Sequence, residues 1–272
     1  MTGLHELLDD LEAEYRDVHR MVAQLGAGAP EWDRMTPSEG WMVRDQISHL
    51  AFFDDAARLA ATEPEQFARM VEAFVAQTGD PMGEHLARGR SMDGAEILGW
   101  WERAHAGMAE ALAGADPKAR VPWFGPPMGV MSFVSARLME TWAHGQDVAD
   151  ALGIERVATD RLRHIAHLGV RARPFSYLVR SRDVPVGRID VVLTAPSGEE
   201  WRWEIGEEGA GAPAGVHASS VRGSALEFCL VVTQRRNVAD TALVVEGDTA
   251  TDWLSIAQAF AGPPGQGRAP SQ

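Results

Sequence analysis

The sequence predicts an α+β protein in which a bundle of helices precedes a smaller mixed α/β domain. Apolar side chains recur every three or four residues as far as Pro174, which is typical of helices, and the pattern then changes to the alternation of strands. The chain has 272 residues, more than the roughly 100 to 200 of one domain, so we expect two. Its composition, 45% hydrophobic and 24% charged, is that of a globular protein with a core.

The first part of the chain is predicted to be helical throughout. Each predicted helix has an apolar face, and several end at a glycine, which favours termination. The second helix follows cap-like residues at Thr36–Glu39 and carries His49. The predicted helices run from Leu4 to Gly26, Val43 to Ala60, Pro64 to Phe74, Ile97 to Gly114, Ser132 to Gly153 and Thr159 to Leu168.

A segment rich in proline and glycine, Val121–Gly129, interrupts the helices. Three prolines and two glycines exclude a helix there, while its apolar residues disfavour a freely solvated loop. Trp123 and Phe124 lie in this segment, just before the helix that carries Glu140. We therefore expect the segment to form a wall or lid over a bound ligand.

The second part of the chain carries strand signals. Ile189–Thr194 and Trp201–Ile205 alternate in polarity and are joined by the turn-forming Pro196-Ser197-Gly198, which predicts a hairpin. Further expected elements are an acidic, glycine-rich loop at Gly206–Pro213, a helix at Ser224–Thr233, a strand at Thr241–Val245 and a helix at Thr251–Phe260. The predicted domains are residues 1–155 and 156–265, followed by a frayed tail at 266–272 that is rich in glycine and proline.

The net charge and the length of the apolar runs disfavour nucleic-acid binding and a membrane protein. The chain has 25 Lys and Arg against 39 Asp and Glu, a net charge of −14, which disfavours nucleic acid and anionic membrane surfaces as partners. No apolar run approaches the ~20 residues of a transmembrane helix. Cys229 is the one cysteine and lies in an apolar run, so we expect a buried thiol and no internal disulfide. We expect a cytoplasmic protein that acts on a small molecule.

Glu140 and His144 are the first candidate metal ligands. They lie four residues apart and so project from one face of the same helix. A catalytic zinc site commonly has three protein ligands, and His49, among core positions of another helix, is the candidate for the third. Solvated Glu–His pairs and hydrogen-bonded core histidines are also common, so spacing alone leaves both alternatives open. In a metal site, Asp45 or Asp147 could hold the second nitrogen of a ligand imidazole.

Two longer segments around these residues resemble a known family. Glu39–Leu50 (EGWMVRDQISHL) and Glu140–Val148 (ETWAHGQDV) are similar to the metal-binding segments of the mycothiol-dependent maleylpyruvate isomerase family, which belongs to the DinB-like metalloenzymes. The resemblance covers roughly residues 1 to 155 and implies a DinB-like four-helix bundle. It also implies one divalent metal, zinc by default, held by His49, Glu140 and His144.

The rest of the chain resembles the sterol-carrier-like domain that follows this bundle in an actinobacterial branch of the family. This implies a mixed α/β C-terminal domain that helps to shape the pocket. The similar segments are Ala195–Gly198, Val221–Ala225, Phe228–Arg236 and Ala257–Gly265.

The resemblance implies a low-molecular-weight thiol, mycothiol or a relative, as a second cofactor. A divalent cation ionises a bound thiol, and the thiolate can add to a conjugated cis alkene, allow rotation and leave, which gives the trans isomer. If another group leaves instead, the reaction is a thiol transfer. An anionic substrate would need local positive charge, for which Arg235 and Arg236 are the candidate catalytic residues. The candidate cofactor-binding residues are Trp123, Phe124 and Arg222.

Two other functions remain open from sequence. The protein could be a non-enzymatic carrier of a small molecule or lipid with a structural metal, or a hydrolase whose metal activates water without a thiol. The identity of the metal and the oligomeric state are open as well. The other seven histidines match neither segment and are predicted to be surface or helix-face residues: His5, His19, His85, His105, His164, His167 and His217.

Overall fold

The computed structural model describes residues 3–76, 81–206 and 219–271. Across these residues it holds ten α-helices and two small sheets, which confirms the α+β class. The chain divides into two compact units, Met1–Arg156 and Val157–Gln272. Among the described residues, no helix has both the length and the apolar character that a bilayer crossing requires.

The first unit is almost entirely helical. Its only described strands, β1 and β2, form a two-residue antiparallel pair at either end of the proline- and glycine-rich segment. Its elements are α1 (Leu4–Ala23), α2 (Val43–Thr62), α3 (Pro64–Ala76), α4 (Pro81–Arg90), α5 (Gly94–Ala113), β1 (Arg120–Val121), β2 (Met128–Gly129) and α6 (Val130–Leu152).

Local sequence explains where the long helices begin and end. The carboxylate of Asp93 accepts the backbone N–H of Glu96, and that of Glu96 accepts the N–H of Asp93, which caps the start of α5. The carboxylate of Asp45 accepts the backbone N–H of Met42 at the start of α2. Gly153 ends α6 in the left-handed conformation, φ 69°, which glycine adopts without strain.

The four longest helices enclose the core of the first unit. α2 packs on α5 and α6, and α1 packs on α6 and α5. Their apolar stripes meet in a cluster of buried side chains that includes three tryptophans. Core members include Val18, Val22, Trp32, Ile47, Leu50, Ile97, Trp101 and Val148.

The second unit is a small mixed sheet with four described helices. Strand order in the sheet is β4-β3-β5-β6, in which β3 pairs antiparallel with β4 and parallel with β5, and β5 pairs antiparallel with β6. Its elements are α7 (Leu162–Arg171), α8 (Arg173–Leu178), β3 (Ile189–Thr194), β4 (Glu200–Ile205), β5 (Ser219–Ser224), α9 (Ala225–Val232), β6 (Val244–Glu246) and α10 (Asp248–Ile256).

The predicted hairpin is confirmed, and its strands pair along their whole length. Thr194 lies opposite Glu200 and Ile189 opposite Ile205, and Gly198 takes the positive φ of 89° that the turn needs. The helix predicted at Ser224–Thr233 is α9, which contains the buried Cys229. Burial raises the pKa of the Cys229 thiol, which disfavours its thiolate and so its use as a nucleophile.

The structure departs from the sequence predictions in several elements. The short helices α4 and α8 and the strand β5 were not predicted, and the strand expected at Thr241–Val245 is shifted to Val244–Glu246. Beyond Gly206, the predicted loop Gly206–Pro213 lies outside the described residues. The expected frayed tail is described as far as Ser271, where the backbone N–H bonds to Asp240, and the Arg268 carbonyl accepts a bond from Asn237.

A buried ion pair joins two helices of the first unit. The Asp54 carboxylate on α2 accepts bonds from Arg137 on α6 (2.8 Å) and from the Trp101 indole (3.2 Å), and both charged residues are at most 3% exposed. Burial acts to raise the pKa of Asp54, but the charge and hydrogen bonds of Arg137, together with the nearby His105 imidazole, hold that pKa below its usual value.

The expectation that His105 is a surface or helix-face residue was wrong. Its side chain is 3% exposed and its Nε2 lies 2.9 Å from the Glu12 carboxylate, while its Nδ1 lies 3.7 Å from Asp54. Burial against two carboxylates explains why an imidazole is stable inside this helical unit. Of the other six, His217 lies outside the described residues, as does the side chain of His85.

Replacing Asp54 by alanine is expected to lower the free energy of unfolding by about 3–5 kcal/mol, because Arg137 would keep a buried charge without its carboxylate. Since the folded pKa of Asp54 is lowered, this stabilisation is present above its unfolded pKa of about 3.9 and is lost as the pH falls through the folded value. Urea unfolding at neutral and acidic pH measures both effects.

The control for this prediction is Glu63→Ala, which breaks an exposed pair with Arg58 and should cost less than about 1 kcal/mol. An equal, small loss in Asp54→Ala and Glu63→Ala would contradict the stabilising role of the buried pair.

Candidate metal centre

The three predicted metal ligands lie together in the first unit. One ligand atom from each of His49, Glu140 and His144 lies within 4.8 Å of the other two. Glu140 Oε2 is 3.2 Å from His144 Nε2 and 3.9 Å from His49 Nε2. Two imidazole nitrogens and one carboxylate oxygen thus converge on one point, a donor set that suits a divalent metal.

Two helices build this cluster. His49 comes from the middle of α2, and Glu140 and His144 lie one turn apart on α6, as their spacing predicts. Gly145 follows His144, and a Cβ there would overlap the side chain of Val18 on α1. Only glycine at this position allows α1 to pack closely against α6 beside the cluster.

The carboxylate of Glu140 sets the charge of the cluster. Burial acts to raise the pKa of Glu140, yet hydrogen bonds and charge from His144 and His49 hold that pKa well below its ordinary value. The carboxylate is therefore ionised at neutral pH and is matched to a cation. Both imidazoles are largely buried, 7% exposed for His49 and 8% for His144.

The second nitrogen of His144 is held by a residue that the sequence did not indicate. His144 Nδ1 lies 2.5 Å from the amide oxygen of Gln46, which is on α2 and fully buried. Of the two acids considered for this role, Asp147 accepts a hydrogen bond from Ser38, and Asp45 caps α2 and pairs with Arg90. The second nitrogen of His144 is therefore hydrogen-bonded by a neutral amide, where an acid was expected.

Aromatic rings flank both imidazoles. Trp41 stacks on His144, with ring centroids 5.8 Å apart, and meets His49 edge-on at 5.2 Å. The ring centroid of Phe53 lies 4.5 Å from that of His49. Trp41 was not among the predicted site residues, although it stands within the segment that carries the family resemblance.

The two aromatic residues predicted to bind the cofactor contact Phe53, which in turn contacts His49. Trp123 and Phe124, both partly buried, have ring centroids 6.1 and 5.5 Å from that of Phe53. Trp123 also stacks on Phe67 at 5.7 Å and contacts Phe133 edge-on at 4.9 Å. The segment Val121–Gly129 thus lies over an aromatic cluster that reaches His49.

The three predicted arginines belong to the second unit. Arg235 follows α9 and donates from Nη1 to the Thr233 carbonyl oxygen, 2.7 Å away. Arg236 is exposed, and Arg222 is exposed on β5 between Val192 and Val244 of the neighbouring strands.

The fold and the cluster together define a protein with a helical domain that carries a candidate centre for one metal ion. Residues 11–149 match the family model described as the mycothiol maleylpyruvate isomerase N-terminal domain. The chain belongs to this family.

Two relatives and two solved structures are similar to the chain well beyond this domain. Proteins from two strains of Mycobacterium tuberculosis, both uncharacterized, are 42% identical over 259 residues, which is 95% of this chain and 96% of theirs. A crystal structure of the mycothiol-dependent maleylpyruvate isomerase matches with a TM-score of 0.58 at 16% identity, covering 91% of this chain and 94% of that one. A variant of that enzyme with one histidine replaced by alanine matches over the same shares, with a TM-score of 0.57 and 16% identity. At this identity the solved structures establish a common fold.

Elemental mass spectrometry of the purified protein is expected to find close to one divalent metal per chain, and His49→Ala and His144→Ala should each lose most of it, because two ligands rarely hold zinc. The exposed His5 provides the matched control, and His5→Ala should keep the metal. Unchanged metal content in both cluster variants, with the fold intact by circular dichroism, would contradict the assignment.

Proposed function

We propose that this protein is a metal-dependent enzyme that uses a low-molecular-weight thiol, mycothiol or a close relative, on an unsaturated small molecule. The reaction is a cis–trans isomerisation or a thiol transfer. The observation that carries the proposal is the convergence of His49, Glu140 and His144 within a domain of the mycothiol maleylpyruvate isomerase family.

The residues present fit a divalent metal, with zinc as the default. An imidazole ligand adds no charge and the ionised carboxylate adds one negative charge, so a divalent ion held by the three residues would keep a net positive charge, and three protein ligands leave a position for an external ligand. When bound, the metal would lower the pKa of a coordinated thiol from about 8.5 and so supply, at neutral pH, a thiolate able to add reversibly to a conjugated double bond.

The surrounding side chains of this chain prepare the centre for that chemistry. Trp41 and Phe53 pack on the two imidazoles and shield them from water, which strengthens electrostatic interactions at the centre. Trp123 and Phe124, which contact Phe53, are the proposed ring surfaces for the thiol cofactor. We also propose that Arg235 and Arg236 receive an anionic group of the substrate and that Arg222 binds the cofactor.

We also propose a fold type for each of the two domains. The pairwise packing of α1, α2, α5 and α6 supports a DinB-like four-helix bundle at 1–155, and the mixed sheet with its helices supports a sterol-carrier-like domain at 156–265. The single buried Cys229 and the need for a reduced thiol cofactor favour the cytoplasm, where thiols are kept reduced.

The test is isomerisation of maleylpyruvate by zinc-loaded protein with and without mycothiol. Turnover is expected only when metal and thiol are both present, and a chelator should abolish it. Isomerisation in thiol-free buffer would contradict the proposal, whereas hydrolysis of a substrate in that buffer would support a metal-assisted hydrolase instead. If maleylpyruvate is not converted, formation of a thioether between mycothiol and other conjugated cis-enones tests the transferase form of the reaction.

One observation favours a second candidate, a small-molecule carrier. The second unit contains a groove of about 410 Å³, within the size range of ligand sites. Its lining includes Thr194, Ala195, Pro196, Leu226, Glu227 and Ala242. Saturable binding of an apolar ligand that persists in His49→Ala, together with no thiol-dependent turnover in the wild type, would support the carrier.

Substrate binding by Arg235 and Arg236 can be tested through KM. Arg235→Ala and Arg236→Ala should each raise KM for an anionic substrate roughly tenfold with a smaller change in kcat, because a charge-assisted hydrogen bond is worth about 1.5–3 kcal/mol. Arg202→Ala is the control, since Arg202 is an exposed arginine of β4 paired with Glu200. Equal KM values in all three variants would remove Arg235 and Arg236 from the site.

A further inference from the structure

A chain of hydrogen bonds runs behind His144, away from the candidate metal centre. The Thr36 hydroxyl lies 2.9 Å from the backbone oxygen of Trp41, and the Gln46 amide nitrogen lies 2.9 Å from the Thr36 hydroxyl. The Gln46 amide oxygen lies 2.5 Å from His144 Nδ1. We call this chain the Trp41–His144 relay, and the three residues whose side chains form it, Thr36, Gln46 and His144, are all buried.

The direction of each bond in the relay is fixed by chemistry. The Trp41 carbonyl can only accept, so the Thr36 hydroxyl donates its single proton there. The backbone N–H of Ser38 also points at the Thr36 oxygen, at 3.3 Å. With its proton already used, this oxygen can only accept from Gln46, so the NH2 group of Gln46 faces Thr36. The amide oxygen therefore faces His144, whose Nδ1 must carry a proton.

A fixed proton on Nδ1 determines which nitrogen can bind a metal. Because Nδ1 keeps its proton, Nε2 is the nitrogen whose lone pair a metal ion can take, in place of the hydrogen bond to Glu140. Nε2 is the atom 3.2 Å from Glu140 Oε2, on the side where His49 also converges. The opposite tautomer would place two lone pairs against each other at 2.5 Å in a buried site, which is costly.

We propose that Gln46 is a positioning residue for the metal centre, which fixes His144 in the tautomer that presents Nε2 and locks the orientation of its ring. This inference rests on the proposed metal-dependent function and adds a residue to it. Because the amide is neutral, Gln46 orients the ligand without placing a second negative charge beside Glu140. Thr36 and the Trp41 carbonyl do not contact His144, but they determine which way the Gln46 amide faces.

Zinc affinity, measured by competition with a chromophoric chelator, tests the proposal without any assay of activity. Gln46→Leu is expected to bind zinc about 10- to 100-fold more weakly than the wild type, the usual effect of removing a partner that orients a metal ligand. Gln46→Glu keeps an acceptor for Nδ1 and should restore most of the affinity. Thr36→Val, which frees the amide to turn over, should weaken binding by a smaller factor.

The matched control is Gln146→Leu, because Gln146 lies on the same helix as His144 but bonds to Asp150 on the surface. Its zinc affinity should equal that of the wild type. Nitrogen-15 correlation spectra of the histidine rings supply an independent readout, in which zinc-loaded wild type should show His144 protonated at Nδ1.

Several outcomes separate this inference from the proposed function. If His144→Ala loses zinc while folded Gln46→Leu binds it within twofold of the wild type, the positioning role is overturned and the metal centre stands. A His144 ring protonated at Nε2 would overturn it in the same way. If the wild type binds no zinc, the inference and the proposed function both fail.

Discussion

The contact between α2 and α6 is the constraint on which the first unit depends. Along α2, His49 and Asp54 project into this contact, and along α6, Arg137, Glu140 and His144 do the same. Five ionisable groups in one helix interface would be prohibitive if any were left alone, since desolvating a charge costs several kcal/mol. Each is paired, Asp54 with Arg137 and Glu140 with the two histidines, so one interface accommodates a structural ion pair and a candidate metal centre.

The two clusters differ in what they can accept. The Asp54–Arg137 pair is balanced in charge, and one hydrogen bond from Trp101 completes it, so it has no need of a ligand. The cluster of His49, Glu140 and His144 has one carboxylate and two nitrogen donors, which a divalent ion satisfies. Membership in the mycothiol maleylpyruvate isomerase family agrees with this division, because the proposed chemistry needs a positive ion beside a thiol.

Features encoded locally could be predicted from the sequence, and those that depend on tertiary contacts could not. Helical periodicity placed α1, α2 and α6 and put Glu140 and His144 on one face. The core position of His49 on another helix made it the candidate third ligand, and the family resemblance supported that choice. Gln46 was missed because its role depends on contacts with His144, 98 residues away, and with Thr36. β5 was missed because Ser219–Ser224 has little of the β-branched and aromatic character typical of strands.

X-ray absorption at the zinc edge of zinc-loaded protein, before and after addition of mycothiol, tests the central claim most directly. In the absence of thiol we expect the zinc to have only nitrogen and oxygen neighbours at about 2.0–2.2 Å, with a histidine contribution from two imidazoles. After addition of mycothiol we expect one sulfur neighbour at about 2.3 Å. An unchanged first shell at saturating mycothiol would contradict a thiol-activating metal centre.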